Sequence, residues 1–337
     1  GDIPNYEATD FFGGDLEGIR QKLPYLKELG VSLIYLNPIF ESASNHRYNT
    51  GNYLAVDPYL GTEEDFKRLC TEAAENGIRI ILDGVFSHTG SDSIYFDKSG
   101  WYDSNGAWES HDSPYYSWYR FNDSKVGYEC WWGFPTLPNV NETDPGYLEF
   151  ICGDDGVLRH WLRAGAFGWR LDVADELPDE FLYHVRDCVK DYDEDAYILG
   201  EVWEDASNKC SYGIRRPYLL GEQLDSVMNY PWCNAILSFV CSGNAEAFYT
   251  SVMTILDHYP APSLATLMTP LSTHDSVRAM TALAVQHDVP SAERAEYKLT
   301  PDEYRLGVQR LRLAATLQYT LPGYPSVYYG DEIGMYG

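Results

Sequence analysis

The chain lacks any paired-cysteine motif. Its seven cysteines, Cys70, Cys130, Cys152, Cys188, Cys210, Cys233 and Cys241, are odd in number and scattered, with no Cys-x-x-Cys among them. That argues against a disulfide framework and against a zinc site. Free thiols favour a reducing compartment, so a cytoplasmic location is expected, with secretion as the alternative if residues precede Gly1. No apolar run reaches transmembrane length, and no signal-peptide pattern stands at Gly1. Basic residues are also scarce: 24 Lys and Arg face 51 Asp and Glu, a formal net charge of −27. Nucleic acid and anionic membrane would be repelled by such a surface, whereas a neutral substrate is tolerated. There is no phosphate loop, Rossmann fingerprint or metal-hydrolase spacing, so no redox or nucleotide cofactor and no metal ligands are expected.

What is present is length and alternation. The 337 residues, 45% apolar, suffice for a barrel with insertions. Leu16, Ile19, Leu23, Leu26 and Leu29 have helical spacing with Gly30 as a stop, and Pro24 predicts a kink or a later start. Thr62 and Asp65 resemble a capping box for a helix ending at Asn76-Gly77. Strands are expected at 31–39, 78–83, 166–172, 196–201, 224–229, 264–271 and 325–330. Helices are expected near 145–163, 178–190, 232–255 and 303–319. This alternation marks βα units and a parallel sheet. Seven strands are one short of a closed (β/α)8 TIM barrel, so either the first strand lies upstream of Gly1, which is the preferred expectation, or the barrel closes unusually.

The period breaks between Thr89 and about Pro145. Residues 95–134 hold fourteen aromatics, including Trp101, Trp108, Trp118, Trp131 and Trp132. This region reads as a small irregular insertion on the loop side of the barrel. Most of its rings are expected to form the insertion's own core, with one or two offering a flat platform for sugar. The organisation expected is 1–88 barrel, 89–144 insertion, 145–337 barrel.

Acids recur at the ends of the strand-like runs: Asp83, Asp172 and Glu201, with Asp275 following another. Such placement costs stability. In a parallel barrel, however, strand tips converge on one mouth, where catalytic residues from different strands meet. Asp172 and Glu201 are therefore candidates for the nucleophile and acid/base of glycoside hydrolysis, which needs one ionised and one protonated carboxyl. Arg170 points to the same face as Asp172 and would keep that carboxylate ionised.

Asp83-Gly-Val-Phe-Ser-His88, Gly168-Trp-Arg-Leu-Asp-Val-Ala-Asp-Glu176, Gly200-Glu-Val-Trp203 and Ser272-Thr-His-Asp275 resemble, in order, the four signature regions of the α-amylase family of glycoside hydrolases. Leu137-Pro-Asn-Val-Asn141 resembles the fifth, Gly30–Pro38 the strand-2 region and Gly323–Gly334 the strand-8 region. The resemblance spans nearly the whole chain. It implies a TIM barrel with the insertion after strand 3, the last barrel helix and C-terminal β domain lying outside this chain. It also implies Asp172 as nucleophile, Glu201 as general acid/base and Asp275 as the third carboxylate, which binds hydroxyls of the −1 sugar. His88 and His274 would bind that sugar, Asp83 would hold Arg170, and Tyr53 would stack under the ring, with Tyr48 a close competitor.

Asn45-His-Arg-Tyr48, Glu176 and Trp203 resemble the neopullulanase, cyclomaltodextrinase and maltogenic amylase branch. The chain departs from it at Asp175, where Asn is usual, and in the fifth region, where Met-Pro-Lys-Leu-Asn becomes Leu-Pro-Asn-Val-Asn. Thr273 replaces a common Asn. The implied activity is retaining cleavage of α-1,4 bonds in starch, pullulan or maltodextrins. Transglycosylation or α-1,6 cleavage on the same site is the alternative, and a non-catalytic glycan-binding relative the least favoured. No cofactor is required. Ser87 stands where many members have an Asn ligand to a structural calcium, and a hydroxyl is a poorer ligand for a hard cation, which weakens that site.

Overall fold

Helix α1 (Leu16–Leu29) begins where Asp15 accepts from the Gly18 amide and ends at Gly30, whose φ of 89° is left-handed and suits a residue without Cβ. Pro24 lies inside it without ending it. It sits on the exposed side, where water can serve the carbonyl its missing N–H leaves over. This computed structural model describes residues 9–103, 105–211, 213–290, 293 and 297–337. The chain divides into two units, Gly1–Gly200 and Glu201–Gly337.

In the first unit, strand β1 (Leu33–Leu36) is followed by an antiparallel hairpin of β2 (Phe40–Ser42) and β3 (Thr50–Val56). Helix α2 (Glu63–Glu75) carries the expected capping box, closed from both sides by Thr62 and Asp65. Strand β4 (Arg79–Gly84) comes next, then helices α3 (Pro145–Cys152) and α4 (Val157–Arg163), strand β5 (Gly168–Leu171), helix α5 (Asp179–Tyr192) and strand β6 (Tyr197–Gly200). The four strands β1, β4, β5 and β6 lie side by side in that order, all parallel. Every residue of β5 and β6 is buried, as strands covered on both faces must be. Phe40, Phe66, Trp161 and Trp169 pack behind them, and the Trp161 indole donates to the Tyr53 carbonyl at 2.8 Å.

Between β4 and α3 the described residues form only isolated bridges and two short 3₁₀ turns. Its rings do pack mostly on one another: Phe96 contacts Trp108, Tyr119, Phe121 and Tyr128, while Tyr95 contacts Trp118. Trp101, Trp132 and Phe134 stay largely exposed.

The second unit contains a small hairpin of β7 (Cys210–Ser211) and β8 (Ile214–Arg215), then strand β9 (Ser226–Val227). Helices α6 (Tyr230–Ser242), α7 (Ala245–His258) and α8 (Ala261–Ala265) follow, then strand β10 (Met268–Pro270), helices α9 (Ala279–Ala284) and α10 (Pro301–Thr320) and strand β11 (Tyr324–Ser326). Met228, just past β9, bridges Met268 in parallel, and β10 pairs in parallel with β11. Ile236, Leu271, Ala279, Leu283 and Ala314 form one buried cluster of this unit's core. Each expected strand position thus holds a strand. Two expected helices are each a pair, broken at residues 153–156 and at Gly243-Asn244. No described helix is long and apolar enough to cross a membrane.

Candidate active site

The parallel register sets Asp83 of β4 directly beside Arg170 of β5. Arg170 is wholly buried, and its Nη1 donates to Asp83 Oδ1 at 2.8 Å, to Asp83 Oδ2 at 3.0 Å and to Asp172 Oδ1 at 2.7 Å. One guanidinium therefore ties together the carboxylates that end two adjacent strands. Out of water such charge-assisted bonds are strong, and each ion depends on its partners for solvation. Two phenols complete the cluster. Tyr35 of β1 and Tyr48 of the hairpin loop both donate to Asp83 Oδ2, at 2.5 and 2.7 Å. Burial holds both hydroxyls far above the usual tyrosine range, so they remain donors.

His88 sits behind Tyr48. Its Nε2 donates to the Tyr48 carbonyl at 3.0 Å, and its Nδ1 faces the Ser87 hydroxyl at 2.9 Å. A carbonyl can only accept, so Nε2 carries the proton and Ser87 donates to Nδ1. Burial lowers the imidazole pKa to about 4, which keeps the ring neutral at physiological pH. Tyr53 lies beneath this cluster, not at its surface: its ring is fully buried among Phe40, Phe86 and Tyr95, and its hydroxyl donates to the carbonyls of Val85 at 2.6 Å and His88 at 3.2 Å.

Asp172 is tied to the sheet through its amide, which donates to the Gly84 carbonyl at 3.0 Å. The next residue, Val173, has φ of 40°, a strained conformation for a β-branched side chain. The turn closes through the Glu176 amide on the Val173 carbonyl. The Glu176 carboxylate accepts from the indoles of Trp131 and Trp132, each at 2.7 Å. These tryptophans were not legible as partners of Glu176, for 44 residues separate Trp132 from it. The signal available was the doublet itself, just ahead of Leu137–Asn141.

Glu201 and Asp275 belong to the second unit. Glu201 follows Gly200, which is paired with Leu171, and is 3% exposed. Trp203 Nε1 donates to Glu201 Oε1 at 3.1 Å while its ring stacks on Tyr230 with centroids 3.7 Å apart. His274 Nε2 lies 3.0 Å from Asp275 Oδ2.

Compared with known proteins, residues 4–337 match the family model described as "Alpha amylase, catalytic domain". The chain belongs to the α-amylase family. Its similarity to amylopullulanase of Thermoanaerobacterium saccharolyticum is 39% identity over 98% of this chain and 27% of that protein. With Neopullulanase 2 of Thermoactinomyces vulgaris it is 35% over 97% of this chain and 51% of the relative. The chain thus spans from about a quarter to about half of these two curated relatives. Among solved structures, the maltose complex of cyclic alpha-maltosyl-(1→6)-maltose hydrolase from Arthrobacter globiformis superposes with a TM-score of 0.81 at 29% identity, over 100% of this chain and 71% of that one. The native Nostoc punctiforme debranching enzyme gives 0.80 at 31%, over 97% and 65%. These TIM-barrel neighbours account for the parallel strands described above.

Calcium is a structural ion in some α-amylase family members. Here the Ser87 hydroxyl engages His88, and the described residues contain no group of three or more His, Cys, Asp or Glu able to hold a metal.

A buried acid, Glu142, lies within electrostatic reach of Glu176. Burial raises Glu142 to about 7, with Glu176 and Glu129 adding to the rise and Arg120 opposing it. The folded state thus binds this proton more tightly than the unfolded chain, so stability falls as pH rises from about 4.5 to about 7 and stays reduced above. Glu142→Gln is expected to remove about 3 kcal/mol of that loss. Melting temperatures of parent and variant at pH 4 and pH 8 check this: the variant should gain at pH 8 and little at pH 4. Equal differences at both values would contradict it.

Proposed function

We propose that this chain is the catalytic domain of a retaining α-glucan hydrolase that cleaves α-1,4 bonds in starch, pullulan or maltodextrins. The observation that carries the reading is the Arg170 Nη1 bond to Asp172 Oδ1, 2.7 Å, backed by Asp83. It fixes a carboxylate at the end of β5 beside a permanent cation, as a nucleophile toward an anomeric carbon requires.

In the proposed reaction a carboxylate oxygen of Asp172 bonds to the anomeric carbon as the bond to the leaving glycosidic oxygen breaks. Glu201 gives its proton to that oxygen. The resulting glycosyl ester on Asp172 is then opened by water, whose proton returns to Glu201. Asp275 and His274 bind hydroxyls of the strained sugar, while His88, with both ring nitrogens engaged, supports Tyr48 from behind. Tyr48, half-buried and anchored on Asp83, suits stacking under that ring, whereas Tyr53 has no exposed face. Trp203, 42% exposed and stacked on Tyr230, is assigned to the sugar on the leaving side of Glu201. The seven thiols are all free, which supports a reducing compartment such as the cytoplasm.

Product analysis on pullulan tests the reading. Panose is expected, from α-1,4 cleavage. Maltotriose would instead show α-1,6 cleavage, the reading that the amylopullulanase and debranching-enzyme relatives favour. No product from pullulan, starch or cyclodextrin would overturn the hydrolase assignment.

A further inference from the structure

Trp132 combines three features that packing does not explain. Its backbone is left-handed, with φ of 48° and ψ of 26°, a costly conformation for a bulky residue. Its ring is 76% exposed, so the strain is not offset by burial. Yet the ring is not loose, because its Nε1 is held at 2.7 Å by Glu176 Oε1. The second oxygen of the same carboxylate holds Trp131 at 2.7 Å, and the two indoles lie 5.7 Å apart. Trp131 in turn lies 5.4 Å from the His88 ring, and Glu176 closes the turn that begins beside Asp172.

Strain retained at an exposed residue points to function rather than stability. A rigid aromatic face beside a polar site is what a pyranose ring packs against. We propose that Trp132 is a carbohydrate platform that binds a glucosyl unit of the substrate beyond the one at Asp172, and that Glu176 is its positioning residue. Glu176 acts through the indole N–H groups: its two acceptor oxygens set the tilt of both rings, and Trp131 links the platform to His88. This inference rests on the α-glucan reading and deepens it, since a platform outside the cleavage position selects for chain length.

The test compares long and short substrates. For Trp132→Ala, kcat/KM on maltohexaose relative to that on a short aryl maltoside is expected to fall about tenfold, through KM. Trp132→Phe keeps a ring but loses the N–H, and should fall less. Glu176→Ala should follow Trp132→Ala, and Glu176→Gln, which keeps one acceptor oxygen, should recover part of the ratio. Trp132→Gly suits the left-handed backbone and should melt no lower than the parent while losing the ratio, which separates platform from scaffold. Calorimetry of maltohexaose and maltose binding to the Asp172→Asn protein gives a second readout independent of turnover. An unchanged ratio, or equal losses on both substrates, would overturn the platform. An inactive parent whose maltohexaose binding still weakens with Trp132→Ala would keep the platform and overturn the hydrolase.

Discussion

Asp172→Asn is expected to lower kcat on any α-glucan substrate by on the order of 10⁴-fold while leaving the fold intact. The amide has the shape of the carboxylate but no charge with which to attack an anomeric carbon. The Arg170 guanidinium keeps Asp83 as an anionic partner at 2.8 Å, so the variant leaves no unpaired buried cation, and only a small change in melting temperature is expected. Steady-state rates on maltohexaose, with a thermal melt of the same preparation, check both halves. A variant that retains more than about a tenth of the parent rate would remove Asp172 from the nucleophile role.

Arg170→Met is expected to have the largest effect on stability. Side-chain exposures of Arg170 and Asp83 are both 0%, so the substitution leaves two carboxylates facing each other in a dry environment with no cation between them. Breaking a buried pair in this way costs about 3–5 kcal/mol, because the remaining charges stay desolvated. Denaturant unfolding of the parent, Arg170→Met and the double variant Arg170→Met/Asp83→Asn measures it. The double variant should recover part of the loss, since one of the stranded charges has gone. Arg170→Lys should not substitute fully, because an ammonium is the more strongly hydrated cation and costs more to bury between two carboxylates. A melt of Arg170→Met within about 1 kcal/mol of the parent would show that the cluster matters little to folding.

Much of the fold could be read from local chemistry. Thr62 and Asp65 announced a helix start, and the shorter Asp side chain closes the box as a Glu would. Gly30 announced a stop. The span 145–163 holds two helices and not one, because the chain turns through Gly153 and Gly156 between them. Gly243 and Asn244 likewise end one helix and cap the next, a stop and a start that both stand in the sequence. The β2–β3 hairpin was missed because its register shifts twice within three residue pairs, which blurs the period-two signal.

The candidate site was legible in a different way. Acids at strand ends can be listed from sequence, and a pair two residues apart on one strand, Arg170 and Asp172, can be assigned to one face. Contacts that depend on loop paths cannot. Tyr48 reaching Asp83, and the indoles of Trp131 and Trp132 reaching Glu176, join segments 35, 45 and 44 residues apart. The insertion that carries both tryptophans has no regular period from which a contact could be inferred. The choice between Tyr48 and Tyr53 likewise needed burial, which the motif Asn45-His-Arg-Tyr-Asn-Thr-Gly-Asn-Tyr53 does not encode.

Val173 shows what this arrangement demands of the chain over time. A branched residue at φ of 40° holds of order 1–3 kcal/mol of strain, and a glycine there would release it. Glycine would also widen the range of directions open to the chain as it leaves Asp172. The position therefore sets two kinds of fitness against each other. Drift toward a more durable protein and drift toward a better-aimed carboxylate run in opposite directions at this one residue, so a library selected only for heat tolerance should collect glycine at 173 and lose turnover as it does.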